Sequence, residues 1–291
     1  MLHLTLRQWE IALAVADTGT TTAAGARLGL SQSAVSAALN ELEHQLPLPL
    51  FDRVGRGLVL NAHGRALLDP ARALLRMAGE LEAGAGVGQG ASDPRTLHLR
   101  IGASTTIGNY LLPSRVATLL ADQPNTQVEL RIGNSTEVIG QVQRLDVDVG
   151  LIEGPCHVSG LDVQPWQRDT LVIVVAATTQ QRPYMDVNAL RAARWLLREP
   201  GSGTREAVEQ GLLPYLHRFG AAMELGSTES IKQAAAAGLG LACLSRHAVA
   251  DLLALGTLRE VRTDLPPLSR QLWQVRHPAR PLPPALDALL R

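Results

Sequence analysis

At 291 residues the chain is long enough for two or three domains. Its 46% hydrophobic and 19% charged content excludes a disordered chain, and its formal net charge of zero excludes a general electrostatic pull on nucleic acid or membrane. Partners of either kind must therefore be read from local patterns.

Met1–Glu10 reads as the approach to an amphipathic helix rather than a targeting signal, and no apolar run reaches bilayer-spanning length. A reducing cytoplasm is the expected setting. Leu6, Trp9, Ile11, Leu13 and Val15 give a first helix an apolar stripe, ended by Asp17-Thr18-Gly19. Thr20, Thr21 or Thr22 can cap a second helix over Ala23–Leu28, and Gly29 stands where a helix-turn-helix needs a left-handed residue. Ser31 caps a third helix with Ala34, Val35, Ala38, Leu39, Leu42 and Leu46 facing inward. Gln32, Ser33, Ser36, Ala37 and Asn40 stay on its outer face, where short polar side chains suit base edges in a major groove. Pro47–Leu60 reads as a turn and a β-wing, with Arg53 and Arg56 around Gly55 in reach of phosphates or a narrow minor groove. Charge argues the other way: Arg7, Arg27, Arg53 and Arg56 face Glu10, Asp17, Glu41, Glu43 and Asp52, a slightly acidic set.

The next stretch, from Ala62 to about Glu82, is one helix. Leu60, Leu67, Leu74 and Leu81 recur every seventh residue, with Ala71 and Ala78 between them, which makes a seam for a second helix; Pro70 predicts a kink or a new turn. The seam serves either a second chain or this chain's own first domain, and a helix-turn-helix that reads a near-palindromic site as a symmetric dimer favours the former. Ala83–Pro94 is glycine-rich and reads as a hinge. Its Gly86, Gly88 and Ala91 match GxGxxA only in spacing, because a helix precedes them and Asp93-Pro94 follows.

From Arg95 short apolar strands alternate with helices, as in a parallel α/β sheet; Leu97–Ile101, Val128–Ile132, Val147–Ile152, Leu171–Ala176 and Leu239–Leu244 are examples. Four segments run strand, hydroxyl-rich loop, helix: Ile101–Thr106, Ile132–Thr136, Glu199–Thr204 and Leu225–Thr228. Each offers hydroxyls and free N–H groups at a helix N-terminus, which suits a small anion. Singly, each is explained by capping; together they point to a site containing Ser104, Thr105, Asn134, Ser135, Ser202, Thr204 and Thr228. Glu153, at a strand end, and Trp166, near a crossover, either line the same cleft or serve the fold. No arginine stands out in these loops except Arg205, so hydroxyls and helix dipoles are expected to hold the ligand.

The N-terminal stretch resembles the DNA-binding domain of LysR-type transcriptional regulators nearly end to end. TLRQ, the AA…LxLSQSAVS turn and third helix, ELE, PLFDR and L-N-x-x-G-R carry the likeness. GASTTIGNYLLP, DVGLIEGP, LREPGSGTRE and ELGSTESIKQAAAAGLGLACLSRHAV extend it, and are especially similar to regulators of sulfur-anion and carbon-fixation genes. The resemblance implies base reading by Gln32, Ser33 and Ser36, wing contacts by Arg53, linker helices that pair two chains, and tetramers built of two dimers. Here Ser33 replaces the usual proline, Ala37 and Ala38 stand where a basic or amide residue is common, and Asn40 where a basic one is common. It also implies the architecture: a winged helix-turn-helix (1–61), a linker helix and hinge (62–94) and an α/β effector module (95–291) of two Rossmann-like subdomains like those of periplasmic binding proteins, the first over about 95–165 plus 266–291 and the second over about 166–265. The expected partners are a near-palindromic double-stranded operator, a small anion such as sulfite, sulfate or a short carboxylate, and further copies of the chain. No cofactor or metal is expected.

Three rivals are weaker. A solute-binding protein would lack the helix-turn-helix. An enzyme would need more than GSGTR, which is no G-x-S-x-G elbow, and scattered histidines. A redox sensor would need Cys156 and Cys243, which fit no CxxC or metal spacing and read as small buried hydrophobes, to meet.

Overall fold

A computed structural model describes residues 3–55, 57–84, 97–179 and 183–290. The chain divides into two compact units, Met1–Thr96 and Leu97–Arg291. The expected hinge lies almost wholly outside the described residues, as does Arg56.

In the first unit, local chemistry ends each helix where the sequence predicts. Helix α1 (Leu6–Thr18) starts in a capping box, in which the Thr5 hydroxyl accepts from Gln8 N–H and the Gln8 side chain accepts from Thr5 N–H; Gly19 closes it. Of the three threonines it is Thr20 that caps α2 (Thr21–Leu28), and Gly29 takes φ 68°. Ser31 caps α3 (Gln32–Gln45) by accepting from Ala34 N–H at 3.2 Å. Val35, Leu39 and Leu42 of α3 join Ile11, Ala12 and Val15 of α1 in one core. Ala34, expected inside, is exposed, since it lies a full 100° of helical turn from Val35.

The wing is β1 (Phe51–Val54) paired antiparallel with β2 (Gly57–Leu60). Glu43 sets its entry: one carboxylate oxygen accepts from the N–H groups of Leu50 (2.7 Å) and Phe51 (3.2 Å). Asn61 sets its exit, accepting from Gly64 N–H at 2.9 Å to start α4 (Ala62–Gly84) and donating to the Pro49 carbonyl at 2.9 Å. Replacing Asn61 by alanine removes both bonds and is expected to lower the stability of this unit by about 1 kcal/mol, read by urea unfolding followed through Trp9 fluorescence. An unchanged midpoint would show that neither bond contributes.

Helix α4 contains Pro70 without ending there. Its buried stripe is Leu68 and Ala71, with Leu75 half-buried beside them, and it packs on the helix-turn-helix core; Arg72 and Arg27 both reach Asp17, and the Arg72 hydrogen bond outweighs partial burial to hold that carboxyl below its usual range. Leu67, Leu74 and Leu81 stay exposed, the last at 77%. Two expected members of their seam belong instead to the internal core: Leu60 lies on β2, before α4 begins, and Ala71 lies on the face of α4 that packs on the helix-turn-helix.

The second unit is a sheet of order β4-β3-β5-β11-β6-β9-β7-β8. One lobe holds β3 (Leu97–Ser104), β4 (Thr126–Gly133) and β5 (Val149–Ile152), all parallel, with α5 (Leu112–Asp122) and α6 (Ser135–Gln143). The other holds β7 (Arg194–Leu197), β8 (Ala221–Glu224) and β9 (Leu241–Ser245), also parallel, with α7 (Val187–Ala192), α8 (Gly203–Leu216), α9 (Thr228–Ala236) and α10 (Arg246–Ala254). Two long strands cross between the lobes: β6 (Asp162–Ala176), which pairs with β9, and β11 (Ser269–Arg276), which pairs with β5. They also pair with each other over Asp162–Thr170 and Ser269–Arg276. β6 thus runs straight through the 165/166 position expected to part the subdomains. β10 (Leu258–Glu260) pairs with β6, and α11 (Pro284–Leu290) packs on the first lobe's core. Among the described residues no helix is long and apolar enough to cross a membrane.

Candidate functional site

In the first unit, Gln32, Ser33 and Asn40 lie exposed on the outer face of α3, and Ser36 is half-buried beside them. Gln32 donates to the Thr21 hydroxyl at 3.1 Å, and the Ser33 and Ser31 hydroxyls are 3.0 Å apart. Arg53 lies exposed on β1, opposite Leu58, and makes no hydrogen bond or ion pair among the described residues. The outer face of α3 and the wing are therefore unobstructed within their unit.

In the second unit the four hydroxyl-rich loops do follow strands and open helices, but their side chains divide by task. Asn134 caps α6, Ser202 caps α8 and Ser227 caps α9, each turned toward its own helix. The first loop has no side-chain cap: Thr105 continues from β3 straight into helical backbone, followed by a π-helical stretch, Ile107–Leu111. Hydroxyls that do not cap gather around two buried arginines.

The first is Arg270 on β11, only 6% exposed. Its guanidinium donates to Asp169 of β6 (2.8 Å), Glu153 (2.8 Å), the Thr204 hydroxyl (2.9 Å) and the Thr106 hydroxyl (3.1 Å). Glu153 accepts in addition from Thr106 N–H at 2.6 Å and from the Thr204 hydroxyl, while its own N–H donates to the Ser135 hydroxyl at 3.3 Å. Ser245 of β9 donates to Asp169 at 2.8 Å. Both lobes and both crossing strands thus meet in one buried network. Burial alone would push the Glu153 carboxyl up; the Arg270 charge and the Thr204 and Thr106 hydrogen bonds overcome it and hold it below the usual carboxylate range. Glu153 and Thr204 are engaged inside the fold, so their expected place as ligand contacts gives way to a structural one.

The second is Arg198, at the end of β7 and 2% exposed. It donates to the Thr105 hydroxyl at 2.7 Å from one lobe and the Thr228 hydroxyl at 2.9 Å from the other, and those hydroxyls are 3.3 Å apart. Its remaining edge forms a two-bond pair with Glu199, both bonds 2.7 Å. Arg205, the arginine that stands out in the sequence, turns away to Glu209 and to the Arg198 carbonyl. The Ser104 hydroxyl is buried beside the Glu153 carboxylate and helps to hold it charged. On the rim Lys232 of α9, the chain's only lysine, lies over the Tyr110 ring at 5.2 Å and pairs with Glu229 and Asp251. Beside α6 and α8 a cavity of about 590 Å³ is lined by Ser135, Ser202, Thr136, His157 and Arg205, among others.

Trp166 serves the fold: its indole donates to the Leu290 carbonyl at 2.6 Å, with Arg115 over its ring. Cys243 lies in the second lobe's core, where burial pushes its thiol up to about 12, and Cys156 packs against a core of the first lobe. The two thiols lie in different cores and both are free, so they form no redox pair in this fold.

Comparison with known proteins accords with this geometry. Residues 6–65 match the family model of bacterial regulatory helix-turn-helix proteins of the lysR family, and residues 92–291 match the LysR substrate binding domain. The chain belongs to the LysR family of transcriptional regulators, which are not enzymes. It is 48% identical to the uncharacterized HTH-type transcriptional regulator YeiE of Escherichia coli K12, over 99% of this chain and 97% of that protein. It is 32% identical to the regulator CbbR of Sinorhizobium medicae, over 99% and 92% respectively. The regulatory domain of Synechocystis CcmR, solved in complex with 2-PG, matches with TM-score 0.60 and 28% identity, over 66% of this chain and 95% of that one.

Proposed function

We propose that this regulator reads operator DNA as a dimer or tetramer and that a small anion, bound between the lobes of its effector module, changes how it does so. Base edges fall to Gln32, Ser33, Ser36 and Asn40 on α3, and backbone contacts to Arg53, with Arg56 beyond the described residues. With few cations on this face, single half-sites bind weakly, so several must act together. Leu67, Leu74 and Leu81, left exposed on α4, are the seam for a second copy and match a near-palindromic operator. A protein of this kind works in the cytoplasm.

The observation that carries the anion reading is the meeting of Thr105 and Thr228, from opposite lobes, at the Arg198 guanidinium. The helix N-termini at Asn134, Ser135 and Ser202 add partial positive charge, with the Ser104 hydroxyl buried close by. The complex of the CcmR regulatory domain with 2-PG supports the same class of ligand.

The test is the melting temperature of the full-length protein against sulfite, sulfate and glycolate at constant ionic strength. An anion at about one hundred times its Kd adds roughly 2.7 kcal/mol, and this upward shift is expected to disappear in Thr105→Ala. No shift with any of the three would remove the anion and leave the family assignment intact.

A further inference from the structure

We infer that Glu199 is an internal stand-in for the effector: its carboxylate holds the Arg198 fork, and an incoming anion binds by taking its place. The inference rests on the anion reading above and adds what the anion must displace.

Two buried arginines serve the region between the lobes, and their charge environments differ. Arg270 faces two carboxylates, Glu153 and Asp169, that are 1% and 2% exposed. Neither can leave without stranding a buried charge, so Arg270 is closed to an outside anion. Arg198 faces one carboxylate, and the Glu199 side chain is 22% exposed while that of Arg198 is 2% exposed. Glu199 can rotate into water at small cost, whereas Arg198 cannot. The pair is planar and two-pronged: Nε and Nη2 of Arg198 each meet a different Glu199 oxygen at 2.7 Å. A carboxylate or a tetrahedral oxyanion presents the same pair of oxygens; a halide does not. The third nitrogen, Nη1, already bridges Thr105 and Thr228. An anion on the freed edge therefore lies next to hydroxyls of both lobes and links ligand binding to the way the lobes close on each other.

Competition between an internal and an external carboxylate has a consequence that an ordinary binding residue lacks: removing the internal one strengthens binding. Glu199→Gln keeps the shape of the side chain and removes its charge. Isothermal titration of the full-length variant with sulfite, sulfate and glycolate, with chloride as the control, is expected to show a Kd lowered roughly tenfold for the anion that binds the parent protein. Chloride is expected to stay without effect. Arg198→Gln is expected to abolish binding whether or not Glu199 is present. Glu199→Ala, titrated alongside, separates loss of charge from any effect of the amide and is expected to tighten binding as well. Equal or weaker binding in both Glu199 variants, with the parent still binding, would overturn the stand-in and leave the anion site standing. No binding by the parent or by either variant would overturn both.

Discussion

Arg270→Met is expected to cost the effector unit about 3–5 kcal/mol, a loss on the scale of breaking a buried ion pair. Methionine roughly fills the space of the arginine stem, but Glu153 and Asp169 are left buried with no cation, and the Thr204 and Thr106 hydroxyls lose a donor. The pH dependence identifies the cause. In the parent the Glu153 carboxyl titrates below its ordinary value, so its contribution is fully present above that value and is lost as pH falls through the lowered one. In the variant Arg270 no longer opposes burial, so the carboxyl titrates above its ordinary value and the variant gains stability on acidification. Urea unfolding of both proteins between about pH 7 and pH 5 should show the difference between them shrinking as pH falls. A difference constant across that range would mean that the loss is packing alone.

Gly203→Ala is expected to cost about 3 kcal/mol and to abolish the response to effector. A Cβ at Gly203 would lie 2.6 Å from Gly154 N, 2.6 Å from the Ser135 hydroxyl and 2.7 Å from the Glu153 carbonyl carbon. Two of these are backbone atoms of the opposite lobe, so the clash is relieved only when the N-terminus of α8 withdraws. Withdrawal loosens the Thr204 end of the Arg270 network and holds the lobes apart. Gly226→Ala is the control, since a Cβ there meets nothing within 4 Å. Thermal unfolding with and without anion reads both effects; a Gly203→Ala protein that melts and responds like its parent would show that the lobes need not approach so closely.

The DNA-binding end is legible in the sequence because its determinants are local. Thr20, Ser31, Gly29 and the 3.6-residue stripe act within a few residues of themselves, so caps, turn and core follow from the sequence; Ala34, at the edge of that stripe, is where the pattern loses force. The hydroxyls of Thr105 and Thr228 are legible as members of strand–loop–helix units. Their partner is not. Arg198 lies between the buried run Trp195–Leu197 and the Glu199–Thr204 loop, and the sequence does not tell that it, rather than Arg205, turns to the hydroxyls; its bond to Thr105 spans 93 positions. Arg270 reaches Thr106 across 164 positions. A signal does exist: Arg270 alternates with Leu272 and Gln274 on the inward face of β11, and an arginine at an inward strand position must find carboxylates. Asp169, just ahead of the buried run Leu171–Ala176, is the matching clue. The position of Glu153 at a strand end is readable from the sequence, but only the folded chain shows that its carboxylate faces Arg270.

The measurement closest to the central claim is a nuclease footprint of the full-length protein on genomic fragments that it retains, taken with and without whichever anion raises its melting temperature. If closing the lobes changes how effector modules pair across the assembly, the spacing of the DNA-binding pairs changes with it, and the protected stretch is expected to change in length at saturating anion. The same fragment protected over the same bases, with and without saturating anion, would contradict the account.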